Sequence, residues 1–296
     1  MPQPTVECVW ELGATLGEGP LWRADQNALW FVDIKRHLVH RFMPATGERS
    51  TWQAPGQVGW LQPTADGRWL AGLKTGLFWF DPDTGGFTRW FDPEPDKPDN
   101  RLNDSCVDAQ GRLWFGTMDD TEQHDTGSVY RLAADGTAIA AGPHCSIVNG
   151  PSASPDGTML YHVDTLAGRI WRYAIEPSGA LSDGEVLIEI EHGAGYPDGP
   201  AIDAEGCIWV GLFGGWGVRR YSPQGELLAE VKLPVANVTK VALGGADLRT
   251  AYATTASKGL DADALAEQPL AGGVFSFRVD VPGLPANAVS IGLPSA

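Results

Sequence analysis

Basic residues are scarce in this chain: 21 Lys and Arg stand against 37 Asp and Glu, for a formal net charge of −16 over 296 residues. Phosphate backbones and anionic lipid need clustered positive charge, so neither nucleic acid nor a membrane surface is expected as a partner. No run approaches the ~20 apolar residues of a membrane span. The first twelve residues carry Glu7 and Glu11 and lack the basic start and apolar stretch of a secretory leader. Cysteine is sparse as well. Cys8, Cys106, Cys145 and Cys207 lie far apart and form no CxxC pair, which argues against a zinc knuckle or a disulfide framework and favours a cytoplasmic protein with reduced thiols. Long helix-forming stretches are few, while 37 glycines and 22 prolines point to many short strands joined by turns, an all-β class.

What is present is a repeat. Aromatic and β-branched runs recur at Leu29–Asp33, Trp69–Gly72, Leu113–Gly116, Leu160–Asp164, Ile208–Gly211 and Ala251–Thr255, with anchors at Trp30, Leu70, Trp114, Tyr161, Trp209 and Tyr252 spaced 40 to 48 residues apart. That is the period of a four-stranded propeller blade, and six repeats imply a six-bladed β-propeller filling residues 1–296 as one domain. Turn pairs such as Asp66-Gly67 and Glu205-Gly206 precede the runs, and a second alternating strand follows each, so the blades read as antiparallel meanders. Loops are expected at 92–100, 121–126 and 192–197, and a short helix within 260–266. The segment Val6–Leu12 alternates well enough to close the ring against the last blade and cover its edge.

The segment before each hairpin should form the innermost strand, and three of these segments share a pattern: Glu18-Gly-Pro20, Asn149-Gly-Pro151 and Asp198-Gly-Pro200. Counting the other repeats into the same register adds Leu61, Asn103 and Thr239. Equivalent positions on inner strands lie at one height on the axis, so their side chains converge. Two carboxylates and two amide oxygens at one level make a hard oxygen site for a divalent cation, without which Glu18 and Asp198 would repel each other. A Gly-Pro after a polar residue is also an ordinary strand entry, but agreement across three repeats favours the ring. Such donors admit calcium, magnesium, manganese, iron(II) or zinc.

At these residues the sequence resembles the senescence marker protein, regucalcin and gluconolactonase family over nearly its whole length. The motifs are Gly17-Glu-Gly-Pro20, Arg101-Leu-Asn-Asp104 with Gly116-Thr-Met118, Asn149-Gly-Pro151 and Asp198-Gly-Pro200. Bacterial enzymes that open gluconolactone or xylonolactone look nearest, a xylonolactonase first among them. The resemblance implies metal ligands Glu18, Asn149 and Asp198, with Asn103 reaching the ion through water or touching substrate and Arg101 gripping lactone hydroxyls. Where some relatives carry a glutamate after Gly-Thr-Met, this chain has Asp119-Asp-Thr121.

The expected activity is metal-dependent hydrolysis of a sugar-acid lactone by a monomer, with Asp198 as general base because a ligating carboxylate sits within reach of activated water. A serine triad is disfavoured: there is no GxSxG elbow, and none of the six histidines falls in the inward register. The loops at 92–100 and 192–197 lead into Arg101 and Asp198 and are expected to wall the mouth. Two alternatives remain at this stage, a non-catalytic metal-binding regulatory propeller and a phosphotriesterase on the same site.

Overall fold

Alternating and continuous apolar runs separated by tight turns can bury themselves only by stacking sheet on sheet. A computed structural model describes residues 3–294 and shows six four-stranded antiparallel sheets arranged as a six-bladed β-propeller. Blade 1 is Gly17–Arg23, Ala28–Asp33, Leu38–Met43 and Glu48–Gln53, in that order from the axis outward. Blades 2 to 5 repeat the order from inner strands Val58–Pro63, Asn100–Val107, Val148–Ala153 and Tyr196–Ile202. The inner strands of neighbouring blades touch one another all the way round, including that of blade 6 against that of blade 1.

Blade 6 is composite. Val238–Gly244, Thr250–Thr255 and Val274–Arg278 come from the end of the chain, and the outermost strand is the N-terminal Glu7–Trp10, paired through Cys8 with Phe275 and through Trp10 with Val274. The segment expected to close the ring therefore does so, over a shorter span. The helix falls at Ala262–Glu267, capped by the Asp261 side chain accepting from the Ala264 N–H. The innermost part of the 192–197 loop is already strand, since Tyr196 pairs with Phe213.

The recurrent aromatic runs are the second strands of the blades, and in Ala28–Asp33, Trp69–Leu73 and Leu113–Asp119 every residue is buried. These strands face a neighbouring blade on each side, which is why they read as unbroken apolar runs rather than alternating ones. Tryptophans fill the gaps between blades. Trp30 lies 4.7 Å from Trp69, and Trp22 stacks on Tyr252 at 5.5 Å. All four cysteines are free thiols.

Every inner strand breaks register near its middle, between Glu18 and Leu21, Val58 and Trp60, Leu102 and Ser105, Asn149 and Ser152, Pro197 and Pro200, and Val238 and Val241. A bulge bends the strand and re-aims its side chains. Residues before the break face one end of the channel and residues after it the other, and each end opens into its own cavity. Across the second end runs the segment after Arg278, pinned by Gly283 N–H to Leu248 O, Val289 N–H to Pro63 O and Ser290 N–H to Gly111 O.

Ring closure rests on Trp10, which belongs to blade 6 by pairing yet packs edge-on against Phe31 of blade 1 at 5.4 Å, with Arg49 5.1 Å over its face. Trp10→Ala should lower stability by about 3–5 kcal/mol, the usual range for truncating a buried aromatic. Glu11→Ala, one residue on and exposed, should change it by less than about 0.5 kcal/mol. The urea unfolding midpoints of the two variants check this.

Candidate metal centre

The bulges deliver the ring residues. Glu18, Asn103, Asn149 and Asp198 all line one cavity of about 260 Å³ at the first end of the channel. Blade 2 departs from the expected register. Its break falls between Val58 and Trp60, so Gly59 and not Leu61 is the residue equivalent to Asn103. A Cβ at Gly59 would lie 2.6 Å from the carbonyl oxygens of both Leu102 and Asn103, so only glycine fits and blade 2 sends no side chain inward. Leu61 instead packs in the core with Val32 and lines the cavity at the far end. In blade 6 the Thr239 hydroxyl is occupied, donating to Gly17 O at 2.6 Å and lying 2.8 Å from the Thr254 hydroxyl.

Four polar side chains remain at the ring, and they are not alike. The carboxyl groups of Glu18 and Asp198 are buried within hydrogen-bonding reach of each other. Glu18 accepts one N–H, from Gly19 at 2.8 Å, and among the described residues neither carboxylate forms a salt bridge. The amides form a directed chain: Arg101 Nη1 donates to Asn103 Oδ1 at 2.6 Å, Asn103 Nδ2 to Asn149 Oδ1 at 2.8 Å, and Asn149 Nδ2 to Thr165 Oγ1 at 2.8 Å. Asn103 Nδ2 also donates to Val148 O at 2.9 Å, which spends both its N–H groups inside the protein. The Asn149 oxygen keeps a second lone pair, and the chain of donors aims it.

Arg101 lies in the cavity wall and is itself held from behind. Its Nε donates to Asp120 Oδ1 at 3.1 Å, and Asp120 also accepts from Lys35 at 2.7 Å, Lys74 at 3.0 Å and Gln57 at 2.9 Å. Burial alone would raise the Asp120 carboxyl, but bonds from Lys35, Lys74 and Gln57 with the Arg101 charge hold it well below the usual carboxylate range. Burial lowers the Arg101 guanidinium, and Asp120 works against that. Asp119 serves the loop instead, accepting from the N–H groups of Thr121, Gln123 and His124. The departure Asp119-Asp-Thr121 is thus an anchor for Arg101 beside an anchor for the loop.

The mouth is built by residues the sequence did not single out. Glu122 and Lys258 pair across it from loops of blades 3 and 6, and Leu166, Tyr196 and Phe213 form an apolar wall. The loop expected from 92–100 supplies none of the lining; it borders a separate cavity on the outer side of Arg101. None of the six histidines lines the central cavity.

Residues 16–257 match the SMP-30/gluconolactonase/LRE-like region. The chain belongs to this family. It is 35% identical over 280 residues to the 6-deoxy-6-sulfogluconolactonase of Pseudomonas putida, covering 94% of this chain and 96% of that one. It is also 35% identical over 284 residues to the L-arabinolactonase of Azospirillum brasilense, covering 95% and 93%. The crystal structure of a calcium-binding protein, regucalcin, from Agrobacterium tumefaciens superposes with a TM-score of 0.93 at 31% identity, covering 97% of this chain and 98% of that one.

The donor set fits the divalent ion that such relatives suggest. Two buried carboxylates without salt-bridge partners and an amide oxygen with a free lone pair line one cavity and are hard oxygen donors by chemistry, and burying like charges together is unfavourable unless a cation or a proton separates them. In the metal-free protein the proton does this. Burial and the Asp104 charge push Glu18 from its ordinary 4.5 up to about 7, and burial and Glu18 push Asp198 up as well. The raised values stabilise the metal-free fold below pH 4.5, a contribution lost as the pH rises to about 7. An ion must displace those protons. Its stabilising effect should therefore grow between pH 5 and 8, with apparent affinity changing up to about tenfold per displaced proton per pH unit. The test is the difference in melting temperature between chelated and ion-supplemented protein. The buried His40 and His162, both depressed to about 4, cancel in that difference. A pH-independent difference would show that no proton is displaced.

Proposed function

We propose that the protein hydrolyses a sugar-acid lactone to the open-chain aldonic acid at a divalent ion held by Glu18, Asn149 and Asp198. The observation that supports the reading is that Glu18, Asn149, Asp198 and Arg101 line one small cavity, with the Lys240–Asp104 pair outside its lining. Relatives named as sugar lactonases over more than nine-tenths of the chain point to the same substrate class.

When bound, a divalent ion at these ligands supplies Lewis acidity toward the lactone carbonyl and offsets negative charge on its oxygen. Asp198 is the proposed general base. Water adds to the carbonyl carbon as its proton passes to Asp198, the acyl–oxygen bond of the ring breaks, and the ring oxygen takes the proton to leave as a hydroxyl. The carboxylate then returns to its starting state. Arg101 orients the sugar. Its Nη2 makes no hydrogen bond among the described residues, while Nε and Nη1 are fixed by Asp120 and Asn103, so a pre-aimed pair of N–H groups faces the ligand. Asn103 keeps one oxygen lone pair for a substrate hydroxyl and acts otherwise by orienting Asn149. The apolar wall of Phe213, Leu166 and Tyr196 limits water at the reacting carbon.

Xylonolactone and gluconolactone should be opened much faster than unsubstituted butyrolactone, and chelation should abolish turnover until one equivalent of ion restores it. Arg101→Ala should lower kcat/KM for the aldonolactones by about ten- to hundredfold, the loss expected for an unpaired buried hydroxyl contact, and lower it for butyrolactone by a smaller factor, through the loss of the Arg101–Asn103 bond that helps orient Asn149. Full activity after chelation would overturn the metal role, and an unchanged ratio among substrates would remove Arg101 as the reader of hydroxyls.

A further inference from the structure

Directly beneath the ring, on the side away from the mouth, Lys240 reaches across the channel to Asp104, with Nζ 2.7 and 2.6 Å from its two carboxylate oxygens. Both side chains are buried. Asp104 also accepts the N–H of Ser105 at 2.7 Å and of Gly150 at 2.9 Å, so one carboxylate ties blades 3, 4 and 6 together. The Lys240 stem passes so near Gly199 that a Cβ there would lie 2.5 Å from Cδ, which accounts for the glycine after Asp198. Neither side chain belongs to the cavity that holds the proposed ligands.

The pair is a poor stabiliser on general grounds, since buried ion pairs commonly contribute no more than apolar residues of the same shape. Its position gives it another effect. Among the innermost groups Glu18, Asp198 and Asp104 bring three negative charges and Lys240 one positive charge; farther out, Asp120 is shared by Arg101, Lys35 and Lys74, and the two lysines are partly exposed and screened by water. Two negative charges are left, the number that one divalent ion cancels. Without the ammonium three would remain, and in a buried site of low dielectric the extra unit favours an ion of higher charge.

We infer that Lys240 is the residue that sets the centre for a divalent ion and against a trivalent one, acting through its charge and not as a ligand, with Asp104 as its counterweight. This rests on the metal reading given above, but its readout is ion binding rather than turnover. Metal-free protein is titrated calorimetrically with Ca²⁺ and with La³⁺, and the ratio of the two affinities is compared among variants. Lys240→Met should raise the La³⁺ to Ca²⁺ ratio by on the order of tenfold. Asp104→Asn should lower it by a similar factor, and the double variant should return to within about threefold of wild type. Should Lys240→Met fail to fold, Asp104→Asn and the double variant carry the test. Folded variants whose ratios match wild type would overturn the inference while leaving the metal site intact. A wild-type protein that binds neither ion would overturn the metal reading and this inference together.

Discussion

Two carboxylates held against each other on the axis of a closed ring are the constraint around which the rest of this structure is arranged. Like charges in a dry interior separate unless the scaffold prevents it or a cation intervenes. The scaffold here is stiff because each ring residue sits at a bulge in a strand buried between two others. Where the last blade meets the first, the ring is held by the pairing of Glu7–Trp10 with blade 6 and by Trp10 packed on blade 1. Stability at the periphery thus underwrites repulsion at the centre.

Around that centre the polar groups form one directed circuit. Asp120 holds Arg101, Arg101 holds the oxygen of Asn103, Asn103 holds the oxygen of Asn149, and Thr165 takes up the last N–H. Each amide has its oxygen and nitrogen told apart by its neighbours, so the orientation of Asn149 is fixed before any ion arrives. Preorganisation of this kind reduces the reorganisation required on binding. It also means that Asp120, with no hydrogen bond to the ring, orients Asn149 through two intermediaries, Arg101 and Asn103.

Much of this was legible in the sequence, for identifiable reasons. A propeller repeats one strand pattern at nearly fixed spacing, so the six aromatic runs located the blades and the shared Gly-Pro tripeptides located Glu18, Asn149 and Asp198. Blade 2 escapes the pattern because its ring residue, Gly59, leaves no polar signature, so counting from Pro63 points to Leu61 instead. Lys240 and Asp104, Glu122 and Lys258, and Lys35 with Asp120 are each brought together by ring closure from positions 85 to 136 residues apart, and local pattern holds no trace of such pairs. The 92–100 loop leads into Arg101 but leaves on the outer side of its strand, a direction that spacing alone does not encode.

The Lys240–Asp104 bridge and the C-terminal segment behind it both stand on the far side of the ring from the mouth, so traffic into the central chamber is expected through the mouth. Whatever enters past Tyr196 and the Glu122–Lys258 pair would leave the same way. Arrival of a new molecule and departure of the old one would be mutually exclusive, and an anionic product would meet the ammonium of Lys258 on its way out. Traffic through the doorway, as much as bond breaking, would then govern how the protein responds to accumulated acid.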